Sequence, residues 1–193
     1  MESIKNIRLL KKELREKVKS ERLALTKEYK TAADRKIRNK FFNLWILKEF
    51  DTVLCYVSTD IEVDTRDIIK RLWDSGKRVA VPRCENLEGD MSFFYINSFD
   101  DLETGSFCIP EPKKDCELFT DCKPTLCIVP AFLFDENGYR LGYGKGYYDR
   151  FLSKYKGTAI GICYDINIKK NLYHGKYDRN VSLVVTDKRI INI

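Results

Sequence analysis

The sequence predicts a single-domain α/β fold with an at least partly parallel sheet, on three observations. Short β-branched apolar runs alternate with amphipathic helical stretches along the chain. Between residues 51 and 82 the order is strand, helix, strand, the pattern of a right-handed βαβ unit. The 193 residues, 44% hydrophobic and 33% charged, are enough to bury one core without staples, so one domain over 1–193 is expected.

The elements follow in order. "KKELREKVKSER" lies in a first helix with Ile7, Leu10, Leu14 and Val18 on its apolar side, and with Lys11 and Arg15 one turn apart, able to face one anion. Such a basic face otherwise simply meets water. Thr26 caps a second helix reaching toward Trp45. "DTVLCYV" at 51–57 is a buried strand, short, β-branched and bounded by polar residues. A helix from about Thr65, capped by Asp64 and ending before Gly76, turns Ile68, Ile69, Leu72 and Trp73 to the core. Further strands are expected at 78–82, 91–96, 125–130, 158–164 and 182–187. Residues 104–124, rich in Pro, Gly and charge and lacking either period, are expected to be a surface loop.

Composition narrows the chemistry. No apolar run approaches the roughly 20 residues of a membrane span, and the N-terminus is charged throughout, unlike a secretory signal. A soluble cytoplasmic protein is expected. Seven cysteines without a Cys-x-x-Cys pair suggest free thiols. His174 is the single histidine, which excludes Ser-His-Asp and Cys-His triads and His-rich zinc sites. A formal charge of +6 suggests an anionic partner, with nucleic acid, nucleotide and a polyanionic small molecule all open.

The densest signal is "RLGYGKGYYDR" at 140–150, which follows the turn "DENG" and opens a helix with Tyr147, Phe151 and Leu152 or Tyr155 inward. Backbone N–H groups in a glycine-rich loop at a helix N-terminus can seat a phosphate, because absent β-carbons allow close approach and the helix dipole adds positive charge. Lys145, Arg140 and Arg150 can neutralise phosphate, and Asp149 is placed to hold Mg²⁺. The spacing matches neither the P-loop nor the dinucleotide loop. Taken bare, the segment also fits a turn without a ligand, with Asp149 in a surface ion pair and Tyr147 and Tyr148 as packing residues.

"FDENGYRLGYGKGYYDRFL" resembles the signature of the 5-formyltetrahydrofolate cyclo-ligase (methenyltetrahydrofolate synthetase) family, and further pieces fit in order along nearly the whole chain. "KKELR" resembles the family's nucleotide-binding helix, which implies ATP contacts for Lys11, Lys12 and Arg15. They would join Gly142, Gly144, Lys145, Gly146, Tyr147, Asp149 and Arg150, with Lys145 and Arg140 catalytic. "IEVDTRDII" resembles a folate-pocket segment, implying substrate contacts for Val57 and Glu62, alongside Tyr147 and Tyr148. "GSFCIPEP" resembles a loop that closes on substrate, with Phe107 a pterin-stacking candidate. The family implies a three-layer, Rossmann-like sandwich with a mixed, largely parallel sheet, a Mg·ATP requirement and no other cofactor. It also implies a monomer acting on ATP and a reduced folate, with or without a polyglutamate tail, and no nucleic-acid or membrane partner.

Two stretches depart from the family pattern. Tyr143 stands where other members can carry Arg, and no role is transferred to it. In "YDRNVSL" Asp178 is retained and would assist Asp149 at magnesium, while Tyr177 and Ser182 replace the other two family positions. The implied reaction is ATP-dependent ring closure of 5-formyltetrahydrofolate to 5,10-methenyltetrahydrofolate through phosphorylation of the formyl oxygen. It asks for alignment and charge stabilisation and needs no histidine. A basic nucleic-acid-binding module and a kinase for another small molecule are the rival readings.

Overall fold

The structure, a computed structural model, describes residues 2–86, 88–105, 109–120 and 123–193. The first half holds helices α1 (Glu2–Leu23), α2 (Lys27–Phe42) and α3 (Arg66–Asp74) and strands β1 (Thr52–Cys55), β2 (Arg78–Cys84) and β3 (Met91–Ile96). A small antiparallel pair, β4 (Leu102–Thr104) and β5 (Pro110–Pro112), precedes β6 (Leu126–Val129), β7 (Leu133–Asp135) and β8 (Arg140–Leu141). Then come α4 (Tyr147–Lys154), β9 (Thr158–Ile162), β10 (Ile168–Lys169), β11 (Leu183–Val185) and β12 (Ile190–Asn192).

Seven strands make the central sheet in the order β12, β11, β9, β6, β1, β2, β3. The inner five are parallel, and the edge strands β12 and β3 are antiparallel to their neighbours. Side chains alternate across the sheet because the strand period is two. Val53, Cys55, Val79, Val81, Leu126 and Ile128 meet Ile37 and Phe41 of α2 and Ile68, Ile69 and Leu72 of α3 on one face. Leu54, Ala80, Cys127 and Val129 meet Tyr148, Phe151 and Leu152 of α4, with Tyr155 just after it, on the other. Both faces are thus covered, which makes a three-layer sandwich and explains why the inner strands are continuous apolar runs.

Local chemistry sets the helix boundaries. The Thr26 hydroxyl accepts from the Tyr29 amide, capping α2 as expected. The Asp64 carboxylate accepts from the Arg66 amide at the start of α3. On α1 the apolar side is shorter than the sequence suggests: Val18 is buried and Leu14 half-buried, packed near Phe132, Leu133 and Leu141, whereas Ile7 and Leu10 are exposed. The described part of 104–124 is not only a loop. Besides β5, it brings Leu118 into a bridge with Phe94, and the Tyr95 and Phe119 amides donate to Glu117 and Phe93 carbonyls. All five described cysteines are free, with Cys55, Cys127 and Cys163 buried; Cys108 and Cys122 lie outside the described residues.

From β1 the chain adds β2 on one side and β6, β9 and β11 on the other. The crevice beyond the carboxyl ends of β1 and β6 is therefore a topological switch point, where open α/β sheets place ligands.

Candidate active site

A cavity of about 890 Å³ opens at that switch point. Tyr56 and Val57, which continue β1, and Pro130, which follows β6, form its floor. One wall is the segment Thr59–Glu62, and another is the glycine-rich stretch from Arg140 through Asp149. Lys11 and Arg15 reach in from α1, Asp178 from the C-terminal segment, Pro110 and Glu111 from β5, and Ile109 from just before it. A smaller cavity of about 560 Å³ lies at the opposite edge, where the Arg78 guanidinium covers the Tyr95 ring and none of the glycine-loop residues takes part.

The glycine loop has the conformation a phosphate seat needs. Gly144 and Gly146 have φ of 93° and 76°, in the left-handed region where a β-carbon is penalised, and Gly146 is the N-cap of α4. Among the described residues the Tyr143, Gly144 and Gly146 amides donate to no protein acceptor. Arg15 holds the loop from outside: its Nε donates to the Gly142 carbonyl at 2.7 Å, and a β-carbon at Gly144 would sit 3.1 Å from its Cζ. Burial pulls the Arg15 pKa below its ordinary value, partly offset by Asp178. Lys11 Nζ donates to Asp178 Oδ2 at 2.8 Å. Burial raises the Asp178 pKa, but hydrogen bonds from Lys11 and the Gly175 amide outweigh it and hold the carboxyl below its ordinary value.

Arg140, Asp149 and Arg150 are engaged with their neighbours. Arg140 Nη2 donates to Asp149 Oδ1 at 2.8 Å, and Nη1 to the Arg179 carbonyl at 2.6 Å. The Arg140 side chain is only 3% exposed, so it fixes Asp149 more than it reaches outward. Arg150 ties the loop to its surroundings through the Gly89 and Lys145 carbonyls. Lys145 lies in the cavity wall on the exposed side. Lys12 stands apart from this assembly: its side chain is 70% exposed, lies 4.0 Å from Glu16 and lines no part of the cavity.

The substrate-side residues converge as well. Glu62 is 6% exposed; its Oε2 accepts from the Thr59 amide at 2.8 Å and the Thr59 hydroxyl at 2.9 Å, and its Oε1 from the Tyr143 hydroxyl at 2.8 Å. Val57 is buried beside it. On α4 the inward residue is Tyr148, not Tyr147: the i, i+3, i+4, i+7 face is Tyr148, Phe151, Leu152 and Tyr155, and Tyr147 turns away to donate to the Asn86 carbonyl. Tyr148 lines the cavity, while its hydroxyl is buried and has no hydrogen-bond partner among the described residues. Phe107 lies outside the described residues.

Magnesium suits the donor set. Among the described residues no group of three or more His, Cys, Asp or Glu forms a protein-only cage. Asp149 and Asp178 both line the cavity beside the phosphate seat, and magnesium commonly takes one or two carboxylates together with substrate phosphates.

Two contributors had weak signals in the sequence. Arg22 is 2% exposed, and its guanidinium donates to the Ile61, Ala131 and Phe132 carbonyls and to Asn167 Oδ1, pinning α1 to two cavity segments. Its clue is register, since it falls four residues after Val18 on the buried stripe. Tyr143, given no role from sequence, joins the loop to Glu62.

Fold and site together define a doubly wound α/β protein with a glycine-rich loop lining a cavity at its switch point. The chain belongs to the 5-formyltetrahydrofolate cyclo-ligase family, which it matches over residues 8–187. It is 29% identical over 178 residues to the 5-formyltetrahydrofolate cyclo-ligase of Escherichia coli, covering 90% of this chain and 98% of that one. It is 32% identical over 147 residues to a probable cyclo-ligase of Schizosaccharomyces pombe, covering 67% and 71%. The solved 5,10-methenyltetrahydrofolate synthetase of Aquifex aeolicus superposes with a TM-score of 0.83 at 31% identity, over 95% of this chain and 92% of that one. A Mycoplasma pneumoniae synthetase shares the fold, with a TM-score of 0.72 at 24% identity over 92% and 98%.

Proposed function

We infer that the chain is an ATP-dependent ligase that closes 5-formyltetrahydrofolate to 5,10-methenyltetrahydrofolate, releasing ADP and phosphate. One observation carries the reading: a single cavity joins a glycine-rich phosphate seat flanked by Lys11, Arg15 and Lys145 to a pocket wall bearing a buried, pre-oriented carboxylate, Glu62.

A formyl group on a ring nitrogen is an amide, and its oxygen leaves poorly. The formyl oxygen attacks the γ-phosphorus of ATP and ADP departs. The second folate nitrogen then attacks the activated formyl carbon, loses its proton, and phosphate leaves carrying the former formyl oxygen. The protein's task is alignment and charge stabilisation. The loop amides at Tyr143, Gly144 and Gly146, together with Lys145, face the transferring phosphoryl group, while Lys11 and Arg15 bind the remaining phosphates. Glu62 accepts from the amine and amide donors of the pterin ring, and Tyr148 lines the same cavity. Asp149 and Asp178 would hold a magnesium ion that neutralises phosphate charge when bound.

Several finer features complete the proposal. The folate carries a polyglutamate tail, a reading supported by a groove of about 580 Å³ lined by Lys123, Arg150, Lys154 and Lys156, which shares Met91 and Tyr147 with the main cavity. The protein acts as a cytoplasmic monomer; among the described residues no helix is long and apolar enough to cross a membrane.

Mixing the protein with Mg·ATP and 5-formyltetrahydrofolate should generate the methenyl chromophore. Lys145→Ala should lower its rate by about a hundredfold or more while the protein still folds. A folded wild-type chain that forms no chromophore would refute the reading.

A further inference from the structure

We propose that Tyr143 is a positioning residue that makes nucleotide and folate binding interdependent, by tying the phosphate-seat loop to the Glu62 carboxylate. The proposal rests on the cyclo-ligase reading above.

Tyr143 sits between Gly142 and Gly144, so its backbone belongs to the phosphate seat, while its hydroxyl donates to Glu62 Oε1 at 2.8 Å, 81 residues away in sequence. Its ring lies against Phe132, with centroids 4.6 Å apart. The partition of Glu62 is informative. Among the described residues, Thr59 occupies Oε2 with two donors, whereas Oε1 has Tyr143 alone. A carboxylate oxygen has two lone pairs, so Oε1 can take a ligand N–H while keeping Tyr143. The Tyr143 hydroxyl thereby fixes the rotamer of the group that receives the pterin.

On the nucleotide side, Arg15 bonds the Gly142 carbonyl and covers Gly144, gripping the loop on both sides of Tyr143. Phosphate that draws on Arg15 and the loop amides therefore acts on the segment whose side chain sets Glu62. Local desolvation of the hydroxyl beside Glu62, with the Glu62 charge next, pushes the Tyr143 pKa above its ordinary value, so the hydroxyl stays a donor throughout the neutral range. Tyr143 is 48% exposed, so Tyr143→Phe keeps the ring on Phe132 and removes only the hydroxyl, without opening a core cavity.

The test is calorimetric binding of 5-formyltetrahydrofolate and of a non-hydrolysable Mg·ATP analogue, each alone and with the other saturating. It is run on wild type, Tyr143→Phe, Glu62→Gln and the double variant. In wild type each ligand should strengthen the other by about five- to tenfold, by the same factor in both directions. Tyr143→Phe should bring that factor close to one and leave melting unchanged. On the Glu62→Gln background, Tyr143→Phe should add nothing, because it acts through that carboxylate. Wild-type sites that bind independently, coupling retained in Tyr143→Phe, or additive effects in the double variant would each overturn the proposal alone. A wild-type chain that binds neither ligand removes the cyclo-ligase reading, and this inference with it.

Discussion

Gly144→Ala perturbs the backbone of the glycine loop and, through it, the seating of Arg15. Gly144 has φ of 93°, and a β-carbon there would lie 3.1 Å from Arg15 Cζ and 3.2 Å from Arg15 Nη2. The left-handed conformation costs a non-glycine residue about 1 to 2 kcal/mol, and the contact obliges Arg15 to shift by a few tenths of an ångström. Two consequences follow. Thermal melting should fall by roughly 2 to 8 °C, given that 1 kcal/mol is worth about 2 to 4 °C in a chain of this size. The chromophore assay should show kcat/KM lowered by about a hundredfold, as expected when a loop that aligns the transferring group moves by a fraction of an ångström to 1 Å. Gly142 supplies the control. It has no left-handed φ and nothing lies within 4 Å of an added β-carbon, so Gly142→Ala should leave the melting temperature unchanged. Equal melting temperatures for the two variants, with Gly144→Ala fully active, would refute the claim that this backbone geometry builds the seat.

The other predictions concern charge. Asp149→Asn should raise the Mg²⁺ concentration needed for half-maximal turnover, and should cost about 1 to 2 kcal/mol because the nearly buried Arg140 loses its ionic partner; superimposable Mg²⁺ curves would leave Asp149 as a partner for Arg140 only. Asp34, on α2, accepts from the Tyr164 hydroxyl at 2.9 Å, and burial is the main cause raising its pKa to about 6. Its contribution to stability is thus present below the ordinary carboxylate value of about 4 and is lost as pH rises through about 6. Asp34→Asn should accordingly stabilise by about 1 kcal/mol at pH 7.5, after discounting for partial exposure, and add nothing at pH 4. Parallel melting curves for the two proteins across that range would contradict it.

What the sequence makes legible follows from how far each signal reaches. Inner strands such as β6 are legible because both faces are buried and the run is apolar throughout. β12, a three-residue edge strand, and the two-residue β8 and β10 are too short to show a period. The glycine loop, Lys145 and Asp149 stand within one local pattern, so their grouping needs no tertiary information. Placing Tyr147 inward misses by one residue, because Tyr147 and Tyr148 are chemically equal in sequence and only the register of Phe151, Leu152 and Tyr155 against the sheet selects the second. The contact between Tyr143 and Glu62 spans 81 residues, and no local pattern announces it. Arg22 reads as one more surface cation on a basic helix until the carbonyls of Ala131 and Phe132 are seen to converge on it.

The central claim is that the cavity aligns the formyl oxygen of the folate directly on the γ-phosphorus of ATP. Turnover of 5-formyltetrahydrofolate labelled with heavy oxygen in the formyl group tests it most directly, with mass analysis of the phosphate released. Direct transfer predicts that the labelled oxygen leaves on phosphate, one atom for each methenyl group formed. Phosphate free of label, with the heavy oxygen in water, would contradict it.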